Sequence, residues 1–315
     1  MEKLVSVVVP AYNCEKFVSQ TLECLLAQDY PNIEIIVVND GSKDNTLDIL
    51  KSYGKRIVLV DQRNTGAPGA RNHGMSRSSG EFICFCDADD LWSQSKVSDQ
   101  VSYFNQHPEV GMVCSSWQVW EADNEGNFDL PSDFKNRRNG LKKDSNYSGW
   151  IYHKLLLDCI CLTSAVMLRR SIIGKVGVFD VKLWNGDDYD YWIRISRVTE
   201  IHRLRSQQVL YRILPQSVAR TPTKRHYEYE VLQNALKQWG EVGPTGGRNS
   251  RGQLSDRIMN MCFGFGYLHL KSGDPGLAMQ SFFRSLQQNP LAYKLWIYLL
   301  LAFLKKLKAI FIDIK

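Results

Sequence analysis

Four short apolar runs open the chain: LVSVVVP (residues 4–10), IEIIVVND (33–40), RIVLVD (56–61) and EFICFCDAD (81–89). Their near-continuous hydrophobicity, rich in β-branched residues and closed each time by a polar turn, predicts strands buried on both faces, as in a parallel sheet. Helical periodicity fills the gaps at 15–28, where Phe17, Val18, Leu22, Leu25 and Leu26 share a face, and at 44–53 and 68–79. Strand alternating with helix predicts an α/β domain, its sheet covered on both sides.

Further on, the pattern predicts a helix at 94–106, a strand GMVCSSWQVW at 111–120 and a polar stretch from 121 to 146 that reads as a mobile loop. A strand at 161–170, a helix at 187–199 and a strand at 200–213 follow, and Pro215 and Pro222 punctuate a linker. From about residue 224 the pattern is helical only, broken by a Gly-rich loop at 242–252. The division expected is therefore an α/β domain over 1–220 and a helical region over 221–315.

Within that region Gly273, Ala278, Phe282 and Pro290 fall at the spacings of a tetratricopeptide unit, and Gly266 fits as well, whereas Cys262, His269 and Ser285 depart from it. One degenerate repeat cannot build a solenoid, so a helical hairpin packed on the first domain accounts for the same residues. In residues 291–315 the apolar centre from Trp296 to Leu304 is too short to span a bilayer. With Lys305, Lys306 and Lys308 beside it, the segment suits either an interfacial helix making peripheral membrane contact or a core helix with a basic end.

Composition narrows the class. A chain of 315 residues accommodates one large domain plus an appendage. Hydrophobic residues at 44% and charged residues at 23% are ordinary for a soluble globular protein and favour neither disorder nor a polytopic membrane protein. The net charge of +6, much of its excess in the second half, suits anionic lipid or phosphate; nucleic acid is not expected as a partner. The eight cysteines include no CxxC spacing, which disfavours a zinc site. MEKLVSVVVPAYN lacks the features of a signal peptide, so a cytoplasmic location with reduced thiols is expected.

Open α/β sheets bind ligands beyond the carboxyl ends of their strands. Four marks converge there: PAYN at 10–13, NDGS at 39–42, NTGAPGARN at 64–72 and DADD at 87–90. Each of the first three alone reads as a turn or helix start. In DADD, however, Asp87 and Asp89 stand two apart at the end of an apolar strand, hence on the same side, and like carboxylates repel unless something positive lies between them. A divalent cation and a ribose hydroxyl would account for both. A nicotinamide or flavin oxidoreductase is excluded at the first turn, which reads PAYNCEKF in place of GxGxxG. A sugar nucleotidyltransferase would need a Gly-rich loop with a basic residue at the same point.

The ordered set SVVVPAYN, VVNDGSKDNT, NTGAPGARN, GEFICFCDADDLW and GDDYDYWIRI resembles family 2 glycosyltransferases with the GT-A fold, over about residues 1–215. The resemblance implies a Rossmann-like, mostly parallel mixed sheet flanked by helices. It also implies that Pro10, Ala11, Tyr12 and Asp40 hold the nucleobase, and that Arg71 lies near the phosphates, its other reading being a salt bridge to Asp40 or Asp61. Asp87 and Ala88 would approach the ribose and donor sugar, and Asp89 would ligate Mg²⁺ or Mn²⁺, hard ions that favour carboxylate oxygen. Asp90 reads either as part of that cluster or as a cap for the following helix.

Where the family commonly carries Glu-Asp, this sequence has Asp187 and Asp188. Asp188 is the expected base for the acceptor hydroxyl and Asp187 the second choice; with Asp190 they also suit a helix N-terminus. Thr163, Ser164 and Trp184 are candidates for the acceptor pocket. The function implied is metal-dependent, inverting transfer from a nucleotide-sugar donor, UDP favoured, to a glycan or lipid-linked acceptor. Cell-surface polysaccharide or lipopolysaccharide synthesis at the inner face of the cell membrane is the expected setting. The alternative, an inactive nucleotide-binding scaffold whose helical tail recruits partners, is opposed by the intact Asp40, Asp89 and Asp188.

Overall fold

A computed structural model describes residues 2–123, 125–137, 141–214 and 222–313, with side chains as far as Lys308. Pro215 lies outside the described residues. The first half contains β1 (Val5–Ala11), α1 (Val18–Leu26), β2 (Ile33–Asp40), α2 (Thr46–Ser52), β3 (Val58–Gln62), α3 (Gly66–Arg77), β4 (Phe82–Phe85), β5 (Leu91–Trp92), α4 (Lys96–Gln106) and β6 (Val110–Trp120). After it come α5 (Tyr152–Leu155), β7 (Val166–Arg169), α6 (Arg170–Val176), α7 (Asp187–Ile195) and β8 (Glu200–Arg212). Four helices complete the chain: α8 (Tyr227–Trp239), α9 (Arg251–Ser272), α10 (Pro275–Gln288) and α11 (Tyr293–Asp313).

The strands form one sheet in the order β3-β2-β1-β4-β7-β6-β8-β5. The strands β1 to β4 pair in parallel, as their unbroken apolar runs predict. The short β7 is antiparallel to both β4 and β6, which makes the sheet mixed, and β6 returns to parallel pairing with β8. Burial explains the pattern: Val5, Val8, Val9, Ile36, Val37, Ile83 and Phe85 are all fully covered. Gly74 lets α3 lie directly on the sheet, because a β-carbon there would collide with Val8 of β1. That close seating fixes the helix that carries Arg71.

The structure departs from the expected elements in places that matter for the site. The strand expected to run to residue 89 ends at Phe85, so DADD occupies a turn and strand alternation does not set its geometry. The strand expected over 161–170 is shortened to Val166–Arg169, preceded by a 3-10 turn at Thr163–Ala165. Leu91 and Trp92 form β5 on the edge beside β8, and α4 begins only after Ser95. Where the polar stretch 121–146 is described, it is tethered: Phe134 is buried against Leu91, Trp120 and Leu210, and Lys143 bridges to Leu204 of β8.

The hydrophobic core does not divide at residue 220. Val231, Leu232 and Ala235 of α8, with Leu254, Ile258, Met261 and Cys262 of α9, join the same buried cluster as the sheet. A separate, smaller cluster contains Ala278 and Phe282 of α10 and Ala302 of α11. Helices α9 and α10 form the expected hairpin, and Gly266 is what allows it: a β-carbon there would lie 2.8 Å from the Phe282 ring. Asp274 caps α10 through the amides of Gly276 and Leu277, with Pro275 in the first turn, where no donor is needed.

Candidate active site

The carboxyl ends of β1 and β2 are laced together. Asn13 adopts φ of 48°, and its side-chain oxygen accepts from the amide of Lys43 at 2.8 Å while its own amide donates to Ser42 Oγ at 3.1 Å. PAYN and NDGS are thus one joint. Ala11 is buried beneath it, Pro10 is half-buried, and Tyr12 is 46% exposed with its ring at the surface.

Asp40 ends β2 in a buried position, 2% exposed. Its carboxylate accepts from Gln62 Nε2 at 2.7 Å and from the amides of Thr65 and Gly66 at 2.9 Å each. It therefore organises the start of α3, a role absent from the sequence reading. Gly66 has φ of +79° and would carry a β-carbon 3.9 Å from the Trp184 ring, which stands 60% exposed above it. Trp184, expected in the acceptor pocket, borders the end of the sheet that holds Asp40.

Arg71 joins two segments far apart in sequence. Its guanidinium donates to Asp87 Oδ1 at 2.9 Å and to Asp187 Oδ2 at 2.7 Å, and it lies over the Phe179 ring at 5.6 Å. The expected salt bridge to Asp40 or Asp61 is not the one formed. Burial opposes the charge on Arg71, but the Asp87, Asp187 and Asp188 carboxylates more than offset it and raise its affinity for its proton. Burial pushes Asp187 up to about 6, aided by the Asp188 and Asp87 charges and opposed by Arg71.

Beneath DADD lies a second network. Ser164 is fully buried, accepts from the Asp87 amide at 3.0 Å and donates to Asp90. Asp90, also fully buried, accepts from the Arg212 amide at 3.0 Å. Arg212 in turn donates to the Asp89 carbonyl at 2.8 Å and lies within 4.7 Å of the Phe17, Trp120 and Phe128 rings. Two expectations change here. Asp90 is an interior anchor rather than a helix cap, and Ser164 has no surface left for an acceptor. Arg212 was missed because, inside QVLYRI, one arginine reads as an ordinary strand residue.

Asp89 is half-buried, and among the described residues no side chain donates to its carboxylate. Burial, with the neighbouring Asp87 charge, pushes it up to about 6. A carboxylate in that condition suits a cation. Among the described residues no group of three His, Cys, Asp or Glu side chains converges as a metal cage. That donor set fits Mg²⁺ or Mn²⁺ shared with diphosphate oxygens, since Mg²⁺ commonly takes only one or two protein carboxylates.

Asp187 and Asp188 open α7 directly after Gly186, whose φ of 75° ends the preceding loop. Asp188 accepts from Thr163 Oγ1 at 3.0 Å, so Thr163, buried at 2%, meets the candidate base. Asp190 pairs with Arg194 at 2.8 Å one turn on, and Tyr191 and Trp192 are core residues. Because Arg71 holds Asp187, the start of α7 is fastened to DADD.

Comparison with known proteins identifies the family and the fold. The description "Glycosyl transferase family 2" matches residues 6–174. The UDP-Glc:α-D-GlcNAc-diphosphoundecaprenol β-1,3-glucosyltransferase WfaP of Escherichia coli is 30% identical over 241 residues, 76% of this chain and 87% of its own length. Among solved structures, the mannosyltransferase PcManGT from Pyrobaculum calidifontis, in complex with GDP-Man and Mn²⁺, aligns with a TM-score of 0.60 at 18% identity, covering 98% of this chain and 88% of its own. S. aureus TarS 1–349 in complex with UDP-GlcNAc aligns with a TM-score of 0.59 at 18% identity, covering 90% and 81%. These structural likenesses show that the mixed sheet is that of the GT-A fold.

Proposed function

The chain belongs to glycosyl transferase family 2, and from that premise we propose that it moves a sugar from a UDP-sugar to a hydroxyl of a lipid-linked glycan, with inversion at the anomeric carbon. The observation that carries this reading is the Arg71 bridge, which fastens the donor-side Asp87 to the helix that begins with Asp187 and Asp188. The choice of UDP and of a lipid-linked acceptor is supported by WfaP, whose name gives both, and by TarS with UDP-GlcNAc. Such an acceptor would put the enzyme at the inner face of the cell membrane.

In this reading Tyr12 stacks on the nucleobase and Asp40 holds the walls of its site. Asp87 and the Ala88 backbone approach the ribose and donor sugar. Asp89 would hold Mg²⁺ or Mn²⁺, which when bound would offset the diphosphate charge; PcManGT with Mn²⁺ supports this ion class. Asp188 accepts the proton of the acceptor hydroxyl as its oxygen bonds to the anomeric carbon and the bond to the nucleoside diphosphate breaks. Thr163 keeps that carboxylate oriented. The single displacement requires no covalent enzyme intermediate.

The test is transfer from a panel of labelled UDP-, GDP- and dTDP-sugars to a polyprenyl-diphosphate-linked sugar in detergent. Asp188→Asn is expected to bind donor and lose transfer. Full activity in that variant moves the base to Asp187, and transfer from GDP- or dTDP-sugars alone refutes the UDP assignment.

A further inference from the structure

Helix α11 is apolar on two sides, and only one of them is used. Leu295, Tyr298, Leu299 and Ala302 pack inward on α9 and α10. The other side carries Tyr293, Trp296, Ile297, Leu300, Leu301 and Leu304, each between 47% and 67% exposed. Their spacing is that of a continuous stripe along one face of a helix. A helix hydrophobic all round is ordinarily buried all round; this one is not. Between α10 and α11 a groove of about 550 Å³ opens beside the stripe, lined by Met279, Phe283, Trp296, Leu299, Leu300 and Phe303.

Charge indicates what covers this face. From Lys271 to Lys308 the chain carries Lys271, Arg284, Lys294, Lys305, Lys306 and Lys308 against the single acid Asp274. Five of the chain's net six positive charges therefore reside in these two helices and their approach. Lys294 and Lys308 extend the same helical face as Ile297, Leu301 and Leu304, one at each end. Lys305 reaches back to the carbonyls of Leu270 and Lys271, while Lys306 and Lys308 stand exposed. A second copy of the chain would bring two such basic surfaces together, which like charges oppose. No helix of the described residues is long and apolar enough to cross a membrane.

We infer that the outward face of α11, with the α10–α11 groove, is a docking surface for an anionic lipid bilayer. The helix lies in the interface: the leucine and isoleucine side chains enter the acyl region, Tyr293 and Trp296 sit at headgroup level, and Lys294 and Lys308 meet lipid phosphates. The groove takes an acyl chain. The inference rests on the membrane-located acceptor proposed above only for its purpose; its evidence is the apolar stripe and the charge imbalance.

The test is co-sedimentation of the full chain with vesicles of phosphatidylcholine alone and of phosphatidylcholine mixed with phosphatidylglycerol. Binding to the mixed vesicles only, weakened by salt, is the expected result. The exposed positions permit Ile297→Asp combined with Leu301→Asp without disturbing the core, and this pair is expected to lower binding tenfold or more. Lys294→Gln with Lys308→Gln is expected to lower it by roughly thirtyfold, in line with about 1 kcal/mol for each basic residue at an anionic surface. Both variants should retain transfer to a water-soluble acceptor, which separates this result from the fate of the catalytic assignment. The inference is overturned if the intact chain ignores anionic vesicles or if the variants bind as it does. It is equally overturned if the aspartates dissolve a dimer while leaving vesicle binding unchanged.

Discussion

Arg71 and Asp187, 116 residues apart, form a buried ion pair at 2.7 Å, each side chain only 8% exposed. The same guanidinium holds Asp87, so one cation is shared between two carboxylates and joins α3, the DADD turn and α7. Removing one partner of a buried pair leaves the other charged and unsolvated. Arg71→Met is therefore expected to lower stability by about 3 kcal/mol, and to reduce transfer by at least roughly 100-fold through misplacement of Asp188. Combining it with Asp187→Asn should recover part of the stability but not the activity. Urea denaturation and single-turnover transfer measure the two effects; stability unchanged in the single variant would show that the pair contributes nothing.

Asp89 carries the metal in the proposed mechanism, and the consequence is direct. EDTA is expected to reduce transfer to background, and added Mn²⁺ or Mg²⁺ to restore it. UDP should raise the melting temperature in the presence of the ion and much less without it, because a ligand at 100 times its dissociation constant adds about 2.7 kcal/mol. Asp89→Asn should abolish that difference. An equal shift with and without the ion, in wild type, would remove Asp89 from this role.

Asp90 is pushed well above the usual carboxylate range by complete burial and then by the charges of Asp89 and Asp87. An amide at this position keeps one oxygen to accept from the Arg212 amide and offers a donor that the Ser164 hydroxyl can accept. Asp90→Asn is thus expected to keep the fold and to cost transfer less than about tenfold, whereas Asp90→Ala strands Ser164 and the Arg212 amide and should cost about 2 kcal/mol. Equal losses in the two variants would mean that Asp90 works as an anion.

These relationships also mark where the sequence stops being legible. The strands could be read because β1 to β4 are unbroken apolar runs, a signal that burial on both faces imposes directly. The order of PAYN, NDGS, DADD and GDDYD could be read because each sits at a strand end or helix start, where turn chemistry restricts residue choice. The pairing of Arg71 with Asp187 could not, since nothing in local spacing relates α3 to α7. Nor could the end of β4 at Phe85: Cys86 is as apolar as the strand before it, and only the pairing with β1, which ends with Phe85 opposite Val8, shows where the ladder stops. Ser164 and Arg212 were hidden for the same reason, their partners lying 74 and 122 residues away.

His226, at the start of α8, supplies a pH dependence that belongs to the joint between the helices rather than to the site. Its ring stacks on Phe265 at 4.2 Å and lies 5.7 Å from Tyr229, and the residue is 8% exposed. Burial first, then the charges of Arg284, Arg257 and His269, drive it from 6.5 down to about 3. Above pH 6.5 the ring is neutral in both folded and unfolded chains and makes no difference. Below that value the unfolded chain gains a proton that the folded one refuses, so stability falls with pH, and the loss is complete near pH 3. Each unit of pH within that window costs at most about 1.4 kcal/mol. His226→Phe keeps the stack and removes the proton. Measured by urea denaturation at pH 7 and pH 5, the variant is expected to lose up to about 2 kcal/mol less than wild type, because all other titrating groups are common to both. Identical losses would mean that His226 accepts its proton in the folded protein, and that α8 and α9 open to admit it.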